Sequence, residues 1–390
     1  MRRLGRNALK VVMRIGYFLY DEGYSGVIES QALDVVRFFN NETECDSVLI
    51  AALPFRSHRK VRRQFQESLG KGVFSIIAVP QRLQNILQWL EVIRLARRLK
   101  KAKVDLVVCR NALACSFALR ARKMLGTSIK LKVCYDGRGA LKAEANEYNV
   151  YPGFLKPLLF ASERHAVLNS DIRISVSQEL VAWWKSEYGY DAEDHIVIPT
   201  TISTLHQNFN PDRHRKEWRE KFSFNEDDIV MAFAGGKADW QGMGFWLPHM
   251  HEWLRKMPKL KLLLLTPENP SVVDISREFP SRVTNTFVAH FDVLKALSSA
   301  DFGILWRTPN TTNLVASPTK LSEYVQAGLV VVTNQGTSAA DLVESRKYGI
   351  RLNPIFYKDH PFKLSTAKDQ VHSSVLKKRD YYPQLIKCIS

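Results

Sequence analysis

The sequence predicts an α/β chain built from two doubly wound domains that face each other across a cleft. Three observations lead there. Short, continuous Val/Ile/Leu runs alternate with helical stretches, which is what a parallel sheet covered on both faces requires. The alternation breaks at a polar, proline-containing stretch and then restarts. The chain has 390 residues and 45% hydrophobic content, long for one typical domain and ample for two cores.

In chain order, "ALKVVMRIGYF" (8–18) reads as a strand, followed by the loop "LYDEGYSGV" and the helix "IESQALDVVRFFN". "SVLIAAL" and "VFSIIAV" are strands, and "NILQWLEVIRLARRLKKAK" is a long helix. "DLVVCR" leads into the helix "ALACSFALRARKML", then the strand "KLKVCYDG" and the helix "GFLKPLLFASERHAVLNS". "IRISVS", "QELVAWWKSEYG" and "HIVIP" complete a strand, helix, strand series. "TTISTLHQNFNPDRHRK" (200–216) lacks periodicity and reads as linker. Alternation resumes with "IVMAFAG", the helix "GFWLPHMHEWLRKM", "LKLLLLT", "TNTFVAH", the helix "FDVLKALSSA", "DFGILWR", and a helix and strand in "SPTKLSEYVQAGLVVV" (317–332). The expected divisions are a first Rossmann-like domain at 1–199, a linker at 200–225, a second Rossmann-like domain at 226–365, and a helical tail at 366–390 packed back on the first domain. Open α/β sheets bind ligands at the carboxyl ends of their strands, so two such sheets place the site between them.

The net charge of +17 is unevenly spread. Residues 1–142 hold 27 Lys+Arg against 11 Asp+Glu, whereas residues 143–390 are nearly balanced at 29 against 28. "RSHRKVRR" (56–63) and "RLARRLKKAK" (94–103) are the densest basic stretches. Such a face suits anionic lipid, nucleic acid or a phosphorylated substrate, or is simply solvated. No run of about 18 apolar residues spans a membrane, and the basic N-terminus lacks a cleavage site, so no signal peptide is expected. Five scattered cysteines without CxxC spacing argue against disulfides and structural zinc and suit the cytoplasm. "HMH" (249–251) reads as surface or packing histidines rather than a metal site.

Candidate ligand groups gather in the second half. Gly235 and Gly236 form a turn between a strand and a helix, where backbone N–H groups approach phosphate closely, with Lys237 beside them. A ligand-free tight turn is the alternative. Arg307 follows a buried strand, and its fork of donors matches phosphate oxygens; a surface arginine is the alternative. In "SPTKLSEYVQAGLVVV", Ser317 is expected to cap a helix with Pro318 at its first position. Lys320 then puts a cation in the first turn, where the helix dipole favours an anion. Lys320 and Glu323 share a face and either form a surface ion pair or hold a diphosphate and a ribose. Leu321, Tyr324, Val325 and Gly328 make the buried face.

This stretch resembles the donor-site motif of family 4 glycosyltransferases, whose P-x-K-x-x-E-Y-x-x-x-G pattern is matched by Pro318, Lys320, Glu323, Tyr324 and Gly328. "AFAGGKADWQG", "GILWR", "RISVSQELVAWWKSEYG" and "VIPTTIS" extend the resemblance over roughly residues 11–355. It implies the GT-B architecture, a nucleotide-sugar donor and transfer with retention. It also implies donor contacts from Gly235, Gly236, Lys237, Arg307, Ser317, Lys320, Leu321 and Glu323. Two positions depart from the pattern: Val315 stands where a glutamate is frequent, and Gln241–Gly242 replaces a common Lys-Gly.

In the first half, "CYDGRGALKAEANEY" (134–148) resembles the D-x-R-G…E segment of polysaccharide-building members. There Asp136 would orient or deprotonate the acceptor hydroxyl, with Arg138 and Glu144 near the acceptor. A turn held by Asp136–Arg138 or Arg138–Glu144 is the alternative. Gly23 and Gly26, in "YDEGYSGVIES" (20–30), resemble the acceptor-side loop. Asp136, Arg307 and Lys320 are the candidate catalytic residues, and His165 is expected to pack near a helix surface.

The function expected is transfer of a sugar from a nucleotide-sugar to a saccharide or lipid-linked acceptor, in surface polysaccharide or glycolipid synthesis. Fixed cations would stabilise the leaving diphosphate, so no cofactor and no divalent metal are expected. The location expected is cytoplasmic and peripheral on the inner membrane face, through the basic first domain. A nucleotide-sugar epimerase of the same architecture is one alternative. A basic nucleic-acid-binding protein is the other, although no RNP, helix-turn-helix or zinc pattern supports a nucleic-acid partner.

Overall fold

The computed structural model describes residues 13–70, 72–80, 83–236, 238–352 and 376–388. Two all-parallel sheets carry the chain. The first runs β1 (Arg14–Tyr20), β2 (Asp46–Leu53), β3 (Val73–Ile77), β4 (Leu106–Arg110), β5 (Lys132–Gly137), β6 (Ile172–Ser175) and β7 (His195–Val197), in spatial order β3-β2-β1-β4-β5-β6-β7. The second runs β8 (Ile229–Ala234), β9 (Leu260–Leu265), β10 (Val283–Asn285), β11 (Phe302–Leu305), β12 (Val330–Asn334) and β13 (Gly349–Leu352), in order β10-β9-β8-β11-β12-β13. In each sheet the order reverses beside the domain's first strand, which creates the crevice where open α/β sheets bind ligands.

Central strands are apolar on both faces because helices cover both. Phe18, Ile50 and Val107 point into one layer of the first domain, while Ile15, Tyr17, Leu49 and Val108 point into the other. The second domain repeats this, with Val230, Ala232 and Val331 on one side and Met231, Phe233 and Ile304 on the other. Alternate residues entering opposite layers is the period-2 geometry of a strand.

Several helices escape a reading based on apolar periodicity. His58–Leu69 buries only Val61 and Phe65, so its pattern is nearly all polar. Asp212–Lys221 lies within the expected linker; Trp218 joins the second-domain core, and buried Arg219 donates to the carbonyls of Ser299, Asn225 and Asp228. "TNTFVAH" is strand only over Val283–Asn285, then irregular up to the short helical turn His290–Asp292.

After the second sheet the described chain returns to the first domain. Lys378 forms a buried ion pair with Asp34 at 2.5 Å and donates to the Ile202 carbonyl at 3.0 Å. Tyr382 and Leu385 enter the first-domain core against Phe38 and Phe39. Of the expected helical tail 366–390, residues 366–375 and 389–390 lie outside the described residues, as do the end of the expected second domain, 353–365, and the first part of the expected strand, 8–12.

The domains also meet directly. Ser177 Oγ donates to the Val315 carbonyl at 2.8 Å, and Val315 packs into the first-domain core. Thr200 N donates to Ser317 Oγ at 2.9 Å, Thr200 Oγ1 to the Ser317 carbonyl at 2.6 Å, and Ser322 Oγ to the Thr200 carbonyl at 2.6 Å. Among the described residues no helix is long and apolar enough to cross a membrane.

Candidate active site

The cleft between the sheets holds a cavity of about 410 Å³ lined from both domains. Ser25, Gly26 and Ser30 come from the first domain. Gly235, Gly236, Gln241, Phe287, His290, Thr319, Lys320 and Glu323 come from the second. It lies at the carboxyl end of β8, where the chain turns through Gly235 and Gly236 before the short helical turn Asp239–Gln241.

Two glycines in this region are required by geometry. Gly242 has φ +72°, and a Cβ there would lie 2.8 Å from the Trp306 carbonyl oxygen and 2.9 Å from Arg307 Cα. A Cβ on Gly235 would lie 2.7 Å from Lys320 Cε and closer still to its Nζ. The bare turn is therefore what lets the lysine reach the floor of the cleft.

Lys320 sits in the first turn of the helix Thr319–Gln326 and is buried. Its ammonium donates to Gln241 Oε1 and lies 3.8 Å from the centroid of the Phe233 ring. Gln241, which replaces a cation of the family pattern, is thus the lysine's holder. Arg307 leaves the end of β11 and is likewise buried. Its backbone N–H donates to Asn334 Oδ1 at 2.9 Å, and Nη1 donates to Asn313 Oδ1 at 3.2 Å. Among the described residues neither cation has a carboxylate within ion-pair distance. Burial pushes Lys320 well below the usual lysine range, and repulsion from Arg307 adds to this against a smaller opposing effect of Glu323. Burial lowers Arg307 to about 10. Two neighbouring buried cations that repel each other are costly unless an anion joins them.

Glu323 lies one turn beyond Lys320 on the same face, and burial raises its carboxyl above the usual range, opposed by His290 and Lys320. Together with His290 it also lines a small cavity of about 30 Å³ with His206, Thr201 and Ser30. Gly26 lies against His290, since a Cβ there would meet His290 Cε1 at 2.7 Å. Gly26, expected on an acceptor-side loop near the donor diphosphate, borders the second-domain cleft. Gly23 is exposed, with nothing near its missing side chain.

One expectation for the donor-site helix changes. Ser317 does not cap the helix: its Oγ accepts from Thr200 N, Pro318 occupies the N-cap position, and no side chain caps the first turn. Tertiary contact with the linker has taken the hydroxyl from its local role. Leu321 is core, packed with Tyr324 and Val325. Tyr324 Oη accepts from Ala234 N at 3.1 Å and donates to the Ile304 carbonyl, pinning the helix under β8 and β11. Lys237 lies outside the described residues.

A second cavity, about 330 Å³, opens at the carboxyl ends of β1, β4 and β5 in the first domain. Its apolar wall is Leu113, Leu141, Tyr151, Leu155 and Leu159, and its polar groups are Asp21, Glu22, Arg110, Asn111 and Arg138. Arg110 pairs with Glu22 at 2.9 Å, and Asn111 Nδ2 donates to Glu22 Oε1 at 3.0 Å. Asp21 at φ +56° and Asn111 at φ +68° hold a left-handed backbone, strain of the kind that clusters at functional sites. Sequence reading missed Glu22, Arg110 and Asn111. The available signal was Asn111 as a helix cap directly after a buried strand, where its Oδ1 accepts from Ala114 N.

Asp136 does not face this cavity as a base would. It is wholly buried, accepts from Tyr17 Oη, and pairs with Arg138 at 2.8 Å. The carboxylate holds Arg138, which lines the cavity, as the alternative of a turn held by Asp136–Arg138 expects. Glu144 is half-buried, with its carboxyl raised by burial. His165 packs on Ser116 Oγ at 3.0 Å. His249 lies edge-on to Trp306, and His251 Nδ1 meets Glu278 at 3.1 Å.

Comparison with known proteins agrees with this architecture. Residues 48–206 match the model of Glycosyltransferase Family 4, which places the match in the first domain and the start of the linker. A glycosyltransferase from Rickettsia africae ESF-5 superposes with a TM-score of 0.70 at 12% identity, over 97% of this chain and 98% of that one. HepE of Anabaena in complex with UDP-glucose gives a TM-score of 0.68 at 14% identity, over 96% and 98%. WaaG, a glycosyltransferase involved in lipopolysaccharide biosynthesis, gives 0.59 at 14%, over 96% and 93%. At such identities the likeness carries the fold, which is GT-B. No curated protein matches the sequence.

Proposed function

We infer that the chain is a glycosyltransferase, from the Glycosyltransferase Family 4 match over residues 48–206. We propose that its donor is a nucleoside diphosphate sugar seated in the interdomain cleft, and that its acceptor is a saccharide or lipid-linked saccharide held by the first domain. One observation carries the donor reading: Lys320 and Arg307 are buried and mutually repelling, without a carboxylate on either among the described residues. A diphosphate supplies the missing negative charge. It would meet the lysine, the arginine fork and the N–H groups of the helix's first turn together. Glu323, on the same face one turn along, would accept hydrogen bonds from the ribose hydroxyls.

The chemistry follows from the charges. As the bond from the anomeric carbon to the diphosphate breaks, negative charge builds on the departing oxygens, and fixed cations in a dry cleft stabilise it. This reading needs no divalent ion, so chelation with EDTA leaves turnover intact. Retention of anomeric configuration is part of the proposal, as is a role in surface polysaccharide or glycolipid synthesis. The site that binds the acceptor is assigned to the cavity of Leu113, Tyr151 and Arg138.

Docking of the first domain on anionic phospholipid is supported by a groove of about 520 Å³ that unites the two basic stretches. His58, Arg62, Arg94, Arg97, Arg98 and Lys101 line it. Among the exposed residues of the same two helical regions are Phe55, Ile86 and Trp89. Cations beside exposed apolar side chains suit an interfacial surface.

The test of the donor reading is turnover and heat protection with a panel of UDP-, GDP- and ADP-sugars, with and without acceptor. Sugar transfer that needs an acceptor supports it, whereas acceptor-independent isomerisation of the sugar would point to an epimerase. Pelleting with vesicles containing phosphatidylglycerol, abolished when Arg94, Arg97, Arg98 and Lys101 become Gln, tests the membrane surface. Pelleting that survives those changes contradicts it.

A further inference from the structure

One first-domain segment, residues 141–148, touches the second-domain segments whose residues hold both cations of the cleft. The helix Leu141–Glu147 begins at the first-domain cavity, where Leu141 is part of the wall. Glu163 fixes that end by accepting from Leu141 N at 2.8 Å and Lys142 N at 3.0 Å. The other end crosses to the second domain. Glu147 accepts from Thr311 N and Thr312 N, each at 3.0 Å. Tyr148 Oη accepts from Asn310 Nδ2 at 2.7 Å and from Asn313 Nδ2 at 3.1 Å.

Asn313 is the residue that holds Arg307. Its Nδ2 donates to Tyr148 Oη and to the Thr308 carbonyl at 3.0 Å, which leaves Oδ1 to accept from Arg307 Nη1 at 3.2 Å. That amide orientation is the one in which every donor meets an acceptor. The Tyr148 ring meanwhile stands edge-on to Trp240, 5.9 Å between centroids. Trp240 belongs to the same turn as Gln241, which holds Lys320.

We infer that Tyr148 is a positioning residue for the transfer reaction, orienting Arg307 through Asn313 and so tying the diphosphate clamp to the helix that walls the acceptor cavity. The inference rests on the donor reading of Arg307. A guanidinium stabilises a leaving group only when its fork is aimed at the departing oxygens, and misplacement costs rate more than affinity. With the Tyr148 hydroxyl gone, the Asn313 amide keeps only the Thr308 carbonyl as acceptor, and its grip on the orientation of Arg307 loosens.

The test is steady-state kinetics on the full chain with the best nucleotide-sugar donor. Tyr148→Phe keeps the ring on Trp240 and removes only Oη. The expected result is a kcat loss of roughly tenfold with donor KM changed less than about threefold. Asn313→Ala cuts the same link from the other side and shows a similar kcat loss. In an Arg307→Lys background, Tyr148→Phe changes kcat by less than about twofold, because the group it positions is no longer there. Equal multiplicative losses in both backgrounds would show that Tyr148 acts merely as interdomain packing and would overturn the inference. So would unchanged kcat in Tyr148→Phe. Calorimetry of wild type with UDP separates the two levels: failure to bind any nucleoside diphosphate removes the donor reading itself, whereas binding with additive kinetics removes only the link through Tyr148.

Discussion

Replacing Lys320 with Met separates a ligand-binding role from a structural one, because the two predict opposite signs. The lysine is buried, rests its ammonium over Phe233, and is pushed well below its ordinary pKa by burial and by Arg307. Methionine fills nearly the same volume and removes the charge. Exchanging a buried charge for an apolar group of similar size is neutral or stabilising by about 1–4 kcal/mol. The unliganded Lys320→Met protein should therefore melt at the wild-type temperature or a few degrees above it. UDP binding should move the other way. A hydrogen bond from a charged donor contributes about 1.5–3 kcal/mol, so affinity should fall roughly 10- to 150-fold. The assays are differential scanning calorimetry without ligand and titration calorimetry with UDP. A lower melting temperature with unchanged UDP affinity would refute the reasoning and make Lys320 an ordinary structural residue. The pH dependence has a fixed sign: the free lysine loses its proton below the usual lysine range. UDP affinity should therefore weaken as pH rises through that lowered range, with proton uptake on binding there.

Glu323→Gln should weaken UDP binding by about 1–2 kcal/mol while leaving inorganic diphosphate binding unchanged; equal losses for both ligands would contradict the ribose role. Gly235→Ala pushes against the end of the Lys320 side chain rather than against backbone, so UDP affinity should drop while urea stability changes by less than about 1 kcal/mol. Glu163 is buried with its carboxyl raised to about 7. Between the ordinary carboxylate range and that value the folded state holds the extra proton, so this group's contribution to stability declines as pH rises through the window. The decline is roughly 3 kcal/mol. Glu163→Gln should flatten the urea-stability profile between pH ~5 and ~8, and an unchanged slope would count against the assignment.

How much of this was legible in the sequence varied with the kind of interaction. Strands buried on both faces announce themselves, and the helix Ala112–Leu125 has the bounds its periodicity suggests. The pairing of Lys320 with Glu323 on one face follows from helical spacing alone. Helices with few apolar residues were hidden. His58–Leu69 buries two, and Asp212–Lys221 is anchored by a tryptophan and a buried arginine that no amphipathic pattern reveals. Polar groups with two possible partners were the least legible. Ser317 had a local cap available and took Thr200 instead; Asp136 followed a strand end as a catalytic carboxylate would, yet Tyr17, 119 residues away, closes over it. Such choices are made by tertiary geometry, which local spacing does not encode. Val315 is the instructive departure. Where the family pattern frequently has a glutamate, this chain has an apolar side chain packed in the first-domain core, with its carbonyl bound by Ser177. That position serves the seam between domains.

The central claim is that Lys320, Arg307 and Glu323 form a nucleoside diphosphate site. Titration calorimetry of the full chain with UDP, GDP and ADP, each compared with its nucleoside and with inorganic diphosphate, tests it most directly. One of the three nucleoside diphosphates should bind, one per chain. Its nucleoside and inorganic diphosphate should each bind far more weakly, and Arg307→Lys and Lys320→Met should each reduce its affinity at least tenfold. Absence of binding by all three nucleotides, or affinity indifferent to both substitutions, would contradict it.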